Sequence, residues 1–284
     1  MTMSLAPLDL DLIVKNIGKL PSPSAVIVEL LQVIDDEEIS SAALAKIITR
    51  DPAIVVRMLR IANSSFYGMP GKVESVADAI AILGLRTVRT LAVGAAVAGN
   101  FTATTAPGFE PQRFWRHGTA TAVGARTLAR RMKLGEGAAF VAGLVHDIGQ
   151  LMLACSFPAH LSAVAEHHRH HGGTISEAER AVLGLDHADI GGILADRWHF
   201  PPAISQAIAH HHHPEKAFDP PLVFAVHLAN DLAMALEFPG NADQRLQTIS
   251  PASWQEANLS GHEGREILAI IEREFAPLSE ILLP

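Results

Sequence analysis

Residues 138–153 read AAFVAGLVHDIGQLML, and within that run only His146, Asp147 and Gln150 interrupt an otherwise apolar sequence. Ala, Leu, Val, Ile and Phe recur at helical spacing on every side of the run, which predicts a helix buried on more than one face. Two adjacent polar groups on such an element are expensive to bury unless they share a partner. Imidazole and carboxylate are nitrogen and oxygen donors suited to a borderline divalent ion. Although neighbours on a helix diverge by about 100°, they can still converge on one ion near its surface. The dipeptide alone is a weak signal, because a chain with 15 histidines is expected to contain roughly one His-Asp pair by chance.

Outward from this stretch, Ala, Leu and Ile dominate at helical spacing and the alternating Val/Thr/Tyr runs of strands are missing, so the chain reads as all-α. Helices are expected over about 9–18, 23–34, 40–48, 52–63, 75–83 and 85–100, then 111–132, 136–155, 157–171, 174–183, 188–198, 201–212, 220–237 and 262–274. Asp51-Pro52 places a capping carboxylate before a proline at the first helical position, and Ser75 with Asp78 approximates a capping box. The segment Asn63-Ser64-Ser65-Phe66-Tyr67-Gly68 fits a helix exit anchored by its aromatic residues. Small, polar and helix-breaking residues from Thr102 to Pro111 suggest a linker, dividing a bundle of residues 1–105 from a second helical part, 106–284.

The 284 residues are 49% hydrophobic and 18% charged, enough to bury a large core and unlike a disordered chain. A net charge of −8 and an aromatic content of 5% argue against a nucleic-acid binder, which needs excess Lys/Arg and stacking platforms. Cys155 is the single cysteine and the start lacks the pattern of a signal peptide, so a cytoplasmic location is expected. Asp78, Arg86 and Arg89 interrupt the apolar stretch 76–101, and no membrane span is expected.

None of the histidines precedes His117, so metal-capable chemistry is confined to the second part. Besides His146 and Asp147, the candidates are His117 in FWRHG, His187 in GLDHADIGG, and His210-His211 at the end of PPAISQAIAHHHHP. His167, His168, His170 and His171 read as a solvated helix end before Gly172-Gly173, and His212 and His213 as loop, so these six are left out of the site. The basic series Arg113, Arg116, Arg126, Arg130, Arg131 and Lys133 reads as a solvated helix face.

Taken in order, LPSPSAVIVELLQVIDDEEIS, IITRDPAIVVRMLRIANSSFYG, SVADAIAILGLRTVRTLAV, AAFVAGLVHDIGQLML, GLDHADIGGILADRWHFPPAISQAIAHHH and VHLAND resemble the HDOD family over nearly the whole chain. This is a bacterial signalling family distantly related to the HD metal-dependent phosphohydrolases. The resemblance implies an amino-terminal bundle joined to an HD-like helical core, and partners among signalling proteins of two-component or cyclic-dinucleotide pathways. It also implies a divalent metal, iron, manganese, zinc or nickel, on His117, His146, Asp147 and either Asn230 or Asp231, with His187, His210 and His211 resembling the additional ligands of HD-GYP phosphodiesterases.

Three features depart from the hydrolases. Gln150 stands where they carry a phosphate-contacting lysine, the HHE…GYP signature is missing, and the final ligand position falls on Asn230 with its carboxylate one residue later. Arg113, one turn before His117 on the same face, would repel a second cation, so at most one ion is expected. The resulting expectation is a signalling protein that acts mainly through protein interaction around a vestigial or structural metal site. The alternative is a metal-dependent phosphohydrolase of a nucleotide or cyclic nucleotide.

Overall fold

A computed structural model describes residues 7–17, 23–64, 71–99, 106–107, 109–237 and 251–282. The helices are α1 (Leu10–Ile17), α2 (Ala25–Gln32), α3 (Ser41–Ile48), α4 (Pro52–Ala62), α5 (Val76–Leu83), α6 (Leu85–Gly99), α7 (Pro111–Met132) and α8 (Glu136–Val145). They continue as α9 (Ile148–Ser156), α10 (Pro158–His171), α11 (Ile175–Leu183), α12 (His187–Arg197), α13 (Pro202–His210), α14 (Pro221–Glu237), α15 (Pro251–Ala257) and α16 (Gly261–Leu282). No strand occurs among the described residues, and the chain is all-α.

The helix starts follow local chemistry. Asp51 accepts hydrogen bonds from the Ala53 and Ile54 amides ahead of Pro52, and Ser75 accepts one from the Asp78 amide. Asn63 ends α4 and ties it to the next segment, its amide donating to the Val73 carbonyl while its Oδ1 accepts from the Val73 N–H. Ser65–Gly68 and 102–105, read from sequence as helix exit and linker, lie outside the described residues.

The long α7 is the central rod, packed by α8, α14 and α16. Small residues let it approach its neighbours closely. A Cβ on Gly143 would lie 2.8 Å from the Thr121 carbonyl oxygen and the Ala122 Cα, so α7 and α8 meet with backbone nearly touching backbone. α6 packs on α8, and α4 and α6 on α16, which joins the helices before residue 100 to those after 110. Across that junction Asp35, in the connection between α2 and α3, accepts the Gly137 and Ala138 amides at 2.9 and 3.0 Å and so caps α8.

The helix expected over 136–155 is in fact two. It breaks at His146 (φ −55°, ψ −34°) and Asp147 (φ −92°, ψ 14°), and α9 begins at Ile148. The break is what lets two sequence neighbours aim at one point, which an unbroken helix would splay by about 100°. The span Glu136–Ser156 is apolar and long enough to cross a membrane, but 78% of its apolar window is buried inside the protein, as befits a core element. At the carboxy-terminal end the structure adds α15 to the expected helices, and α16 runs beyond the expected residue 274.

Gly149 opens α9 where it crosses α12, and a Cβ there would lie 1.9 Å from the His187 carbonyl oxygen. Gly149→Ala is therefore expected to destabilise the fold by about 1–3 kcal/mol in a urea titration. Unchanged stability would mean that the crossing relaxes freely.

Candidate metal centre

The break between α8 and α9, the first residue of α12, the turn after α13, and one position each on α7 and α14 converge. Asp147 Oδ1 lies 3.1 Å from His187 Nε2 and 3.4 Å from both His146 Nε2 and His211 Nε2. Asp147 Oδ2 is 3.9 Å from His117 Nε2 and accepts from the Gln150 amide at 3.1 Å. Two donor groups able to hold a metal result, Asp147 with His187, His211 and His212, and Asp147 with His117 and His146. In each group the donor atoms lie within 4.8 Å of one another, and Asp147 belongs to both.

Hydrogen bonding decides which nitrogen each imidazole presents. His146 Nδ1 sits 2.8 Å from the Gly143 carbonyl and His211 Nδ1 2.9 Å from the Ile208 carbonyl, in each case the carbonyl three residues back. Both Nδ1 atoms therefore carry the proton, and both Nε2 lone pairs face Asp147. These two Nε2 atoms are buried and have no hydrogen-bond partner. An unsatisfied buried acceptor costs about 1–3 kcal/mol, and a cation between them and the carboxylate would satisfy both. Burial pushes the His146 pKa down to about 3, so the ring is neutral, the form that ligates. The donor set thus fits a divalent metal, with nitrogen and oxygen ligands compatible with iron, manganese, zinc or nickel.

His187 is oriented by a residue that the sequence reading overlooked. Glu179 Oε2 accepts the His187 amide at 2.8 Å and lies 2.5 Å from its Nδ1, with both side chains almost wholly buried. Burial opposes the imidazolium, but the charges and hydrogen bonds of Glu179 and Asp147 raise the His187 pKa well above its ordinary value. The His187 charge and its hydrogen bond hold Asp147 well below the usual carboxylate range against its own burial. A metal on His187 Nε2 would displace a proton, so its uptake strengthens as pH rises. Glu179 shares the buried stripe of α11 with Ser176 and Leu183, and an acid on an apolar stripe was the available signal.

His117, His146, Asp147, His187, His211 and Asn230 are brought together, and His210 is not. α13 ends at His210, and one further residue turns the chain by about 100°, so His211 faces inward and His210 stays half-exposed outside both groups. The following turn returns His212, a loop residue by its sequence pattern, to 2.8 Å from His187 through their Nε2 atoms. Asn230 places its Oδ1 2.9 Å from His117 Nε2, a bond that His117 must surrender to ligate a metal. Asp231 turns away, its Oδ2 3.5 Å from His227 Nε2, and burial raises its pKa to about 7. His227 Nδ1 in turn donates to the His211 carbonyl at 2.7 Å and props the turn that carries the ligand.

The centre forms the floor of a cavity of about 240 Å³. His117, Asp147, Glu179, His187, His212 and Asn230 line its polar side, while Phe109, Phe114, Leu161, Val164, Ile175 and Met234 form an apolar wall. Arg113 and Gln150 also line it, as does His168, so the end of α10 is not wholly solvated as its sequence suggests.

Beside His187, the buried Asp186 caps α12, accepting from the Asp189 amide, from Ser176 Oγ at 2.6 Å and from Arg180 at 2.8 Å. Burial pushes its pKa up, but the His187 charge, these hydrogen bonds and Arg180 outweigh it and bring the group to about 2. A depressed folded pKa means that the stabilisation is present above the unfolded value near 4 and is lost as pH falls through about 2. Asp186→Asn is expected to cost about 2 kcal/mol at pH 5, with the gap from the native protein closing as pH approaches 2 in denaturant titrations. A constant gap would refute the linkage.

A model of the HDOD domain matches residues 20–214. An HDOD domain protein of unknown function from Geobacter sulfurreducens superposes with a TM-score of 0.79 at 20% identity, covering 96% of this chain and 98% of its own. A candidate phosphohydrolase from Shewanella amazonensis does so with 0.76 at 25% identity, covering 96% and 98%. An uncharacterised Treponema pallidum protein is 25% identical over 226 residues, 77% of this chain, which spans 43% of that relative's length. With the family match covering most of its length and the same helical architecture throughout, the chain belongs to the HDOD family.

Proposed function

We propose that this is an HDOD signalling protein whose buried centre binds divalent metal and hydrolyses a phosphoester of a nucleotide or similar small molecule. The observation that carries the reading is that one side of the donor set, Asp147 and His187 with His117 and His212, faces a cavity, while His146 and His211 lie buried behind it. Structural metal sites are closed, whereas catalytic ones keep a side open for water and substrate. The similarity to a candidate phosphohydrolase supports it.

A bound ion would supply Lewis-acid polarisation of a phosphoryl oxygen and a water of lowered pKa. His146, His187, His211 and Asp147 would hold it, with Gln150 fixing the orientation of the Asp147 carboxylate and Glu179 that of the His187 ring. Arg113, on the cavity wall, offers phosphoryl oxygens the fixed positive charge that Gln150 lacks. The apolar wall limits water and suits a base or another hydrophobic group on the ester. The division of the chain near residue 105 belongs to this reading, since every group lining the centre lies beyond it. A cytoplasmic setting among two-component or cyclic-dinucleotide partners accords with the family.

A second reading, an interaction module around a structural metal, is favoured by Gln150, which is tied to Asp147 and brings no charge for a substrate. Metal analysis of tag-free protein, with turnover of bis(p-nitrophenyl) phosphate and a nucleotide panel, separates the two. The phosphohydrolase predicts about stoichiometric metal and a loss of turnover of at least about 100-fold in His146→Ala. Metal without turnover supports the module, and the absence of both removes both readings.

A further inference from the structure

A second cavity, of about 430 Å³, lies between the helices before residue 100 and those after 110. Its walls are the connection after α2, the start of α6, the end of α7 and the start of α8. Five cations line it, Arg86, Arg89, Arg126, Arg130 and Lys133, against three carboxylates, in a protein whose net charge is −8.

The three carboxylates are already engaged. Glu37 pairs with Arg86 at 2.5 Å, Glu136 pairs with Arg130 through contacts of 3.0 and 2.6 Å, and Asp35 caps α8. Arg126 reaches outward to Glu274 at 2.8 Å. Arg89 is only 3% exposed, donates through Nη1 to the Asp36 carbonyl, and its buried Nε–H has no acceptor. Lys133, left-handed at φ 59° and exposed on the rim, has no carboxylate partner among the described residues. Two more cations than carboxylates line the cleft, with Arg89 at its inner wall and Lys133 at its rim, a net positive charge that favours an oxyanion. Leu91, Leu134 and Phe140 add an apolar flank to the same cleft.

We infer that this cleft is a binding site for a small organic phosphate, with Arg89 and Lys133 taking its phosphate oxygens and the Leu91–Leu134 side taking its apolar body. This site is separate from the His/Asp centre and does not depend on its chemistry. The ligand class is that of a nucleoside diphosphate, in which a multiply charged phosphate chain adjoins a flat apolar group.

The test is titration calorimetry of the full chain with ADP, GDP, inorganic pyrophosphate and the nucleosides adenosine and guanosine. Saturable binding of a nucleoside diphosphate is expected, weaker for pyrophosphate and lost for the nucleosides. Arg89→Gln and Lys133→Glu should each weaken it at least about tenfold, and rising salt should weaken it further. Lys133 is on the rim, so its variant carries the test even where the buried change impairs folding. His146→Ala should leave the affinity unchanged, which separates this cleft from the centre. Equal binding by the nucleosides, no binding at millimolar ligand, insensitivity to Lys133→Glu in folded protein, or loss of binding in His146→Ala would each overturn the inference.

Discussion

Asp147→Asn is expected to cost the protein its capacity for divalent metal in both donor groups at once. One carboxylate serves both, with Oδ1 within 3.4 Å of three imidazole nitrogens and Oδ2 on the His117 side. Asparagine preserves the shape but removes the charge and replaces one of the two oxygens with a nitrogen donor that repels a cation. Apparent affinity should fall by more than about 100-fold, beyond the range ordinarily seen for a supporting residue. His210→Ala, outside both groups, should leave it unchanged. Metal content of tag-free protein after dialysis against a weak chelator measures both, and native metal content in the asparagine variant would exclude Asp147 as a ligand.

Glu179→Ala is expected to give the largest loss of stability, about 3–5 kcal/mol, because it removes one of the two carboxylates paired with the buried His187 and leaves the His187 amide without its acceptor. Its carboxylate takes both the amide and the Nδ1 of His187, and both side chains are almost wholly buried. Glu179→Gln should lose less, since its carbonyl oxygen can still accept the His187 amide. The alanine variant should also bind metal about 10–100-fold more weakly, because His187 loses the partner that fixes its ring. Urea unfolding at neutral pH reads the first effect and chelator competition the second. A loss below about 1 kcal/mol would mean that His187 finds other compensation.

The helical class, the capped starts at Asp51 and Ser75 and the centrality of the His146-Asp147 pair were legible in the sequence, because they depend on local spacing and capping chemistry. The break at that pair was not. Apolar residues run through it without a proline, and Gly143 and Gly149 flank it without marking the position at which the helix stops. The choice between His210 and His212 within a run of four histidines depends on the residue at which α13 stops, and helix ends are the least determined feature of any periodicity. Glu179 and His168 reach the cavity only through tertiary packing of α10 and α11, which no spacing within the chain reveals.

The carboxylate that caps α8 comes from a connection about a hundred residues earlier, and the far end of the same ten-residue rod carries His146. At 1.5 Å per residue, that rod sets the cap and the imidazole about 15 Å apart. The Asp35 carboxylate contributes roughly 1 kcal/mol of capping, so Asp35→Ala should loosen the first turn of α8 without unravelling the bundle. The early helices and the His/Asp centre are thus joined through a single helix, held at its first turn by Asp35 and bearing a ring of the centre just past its last.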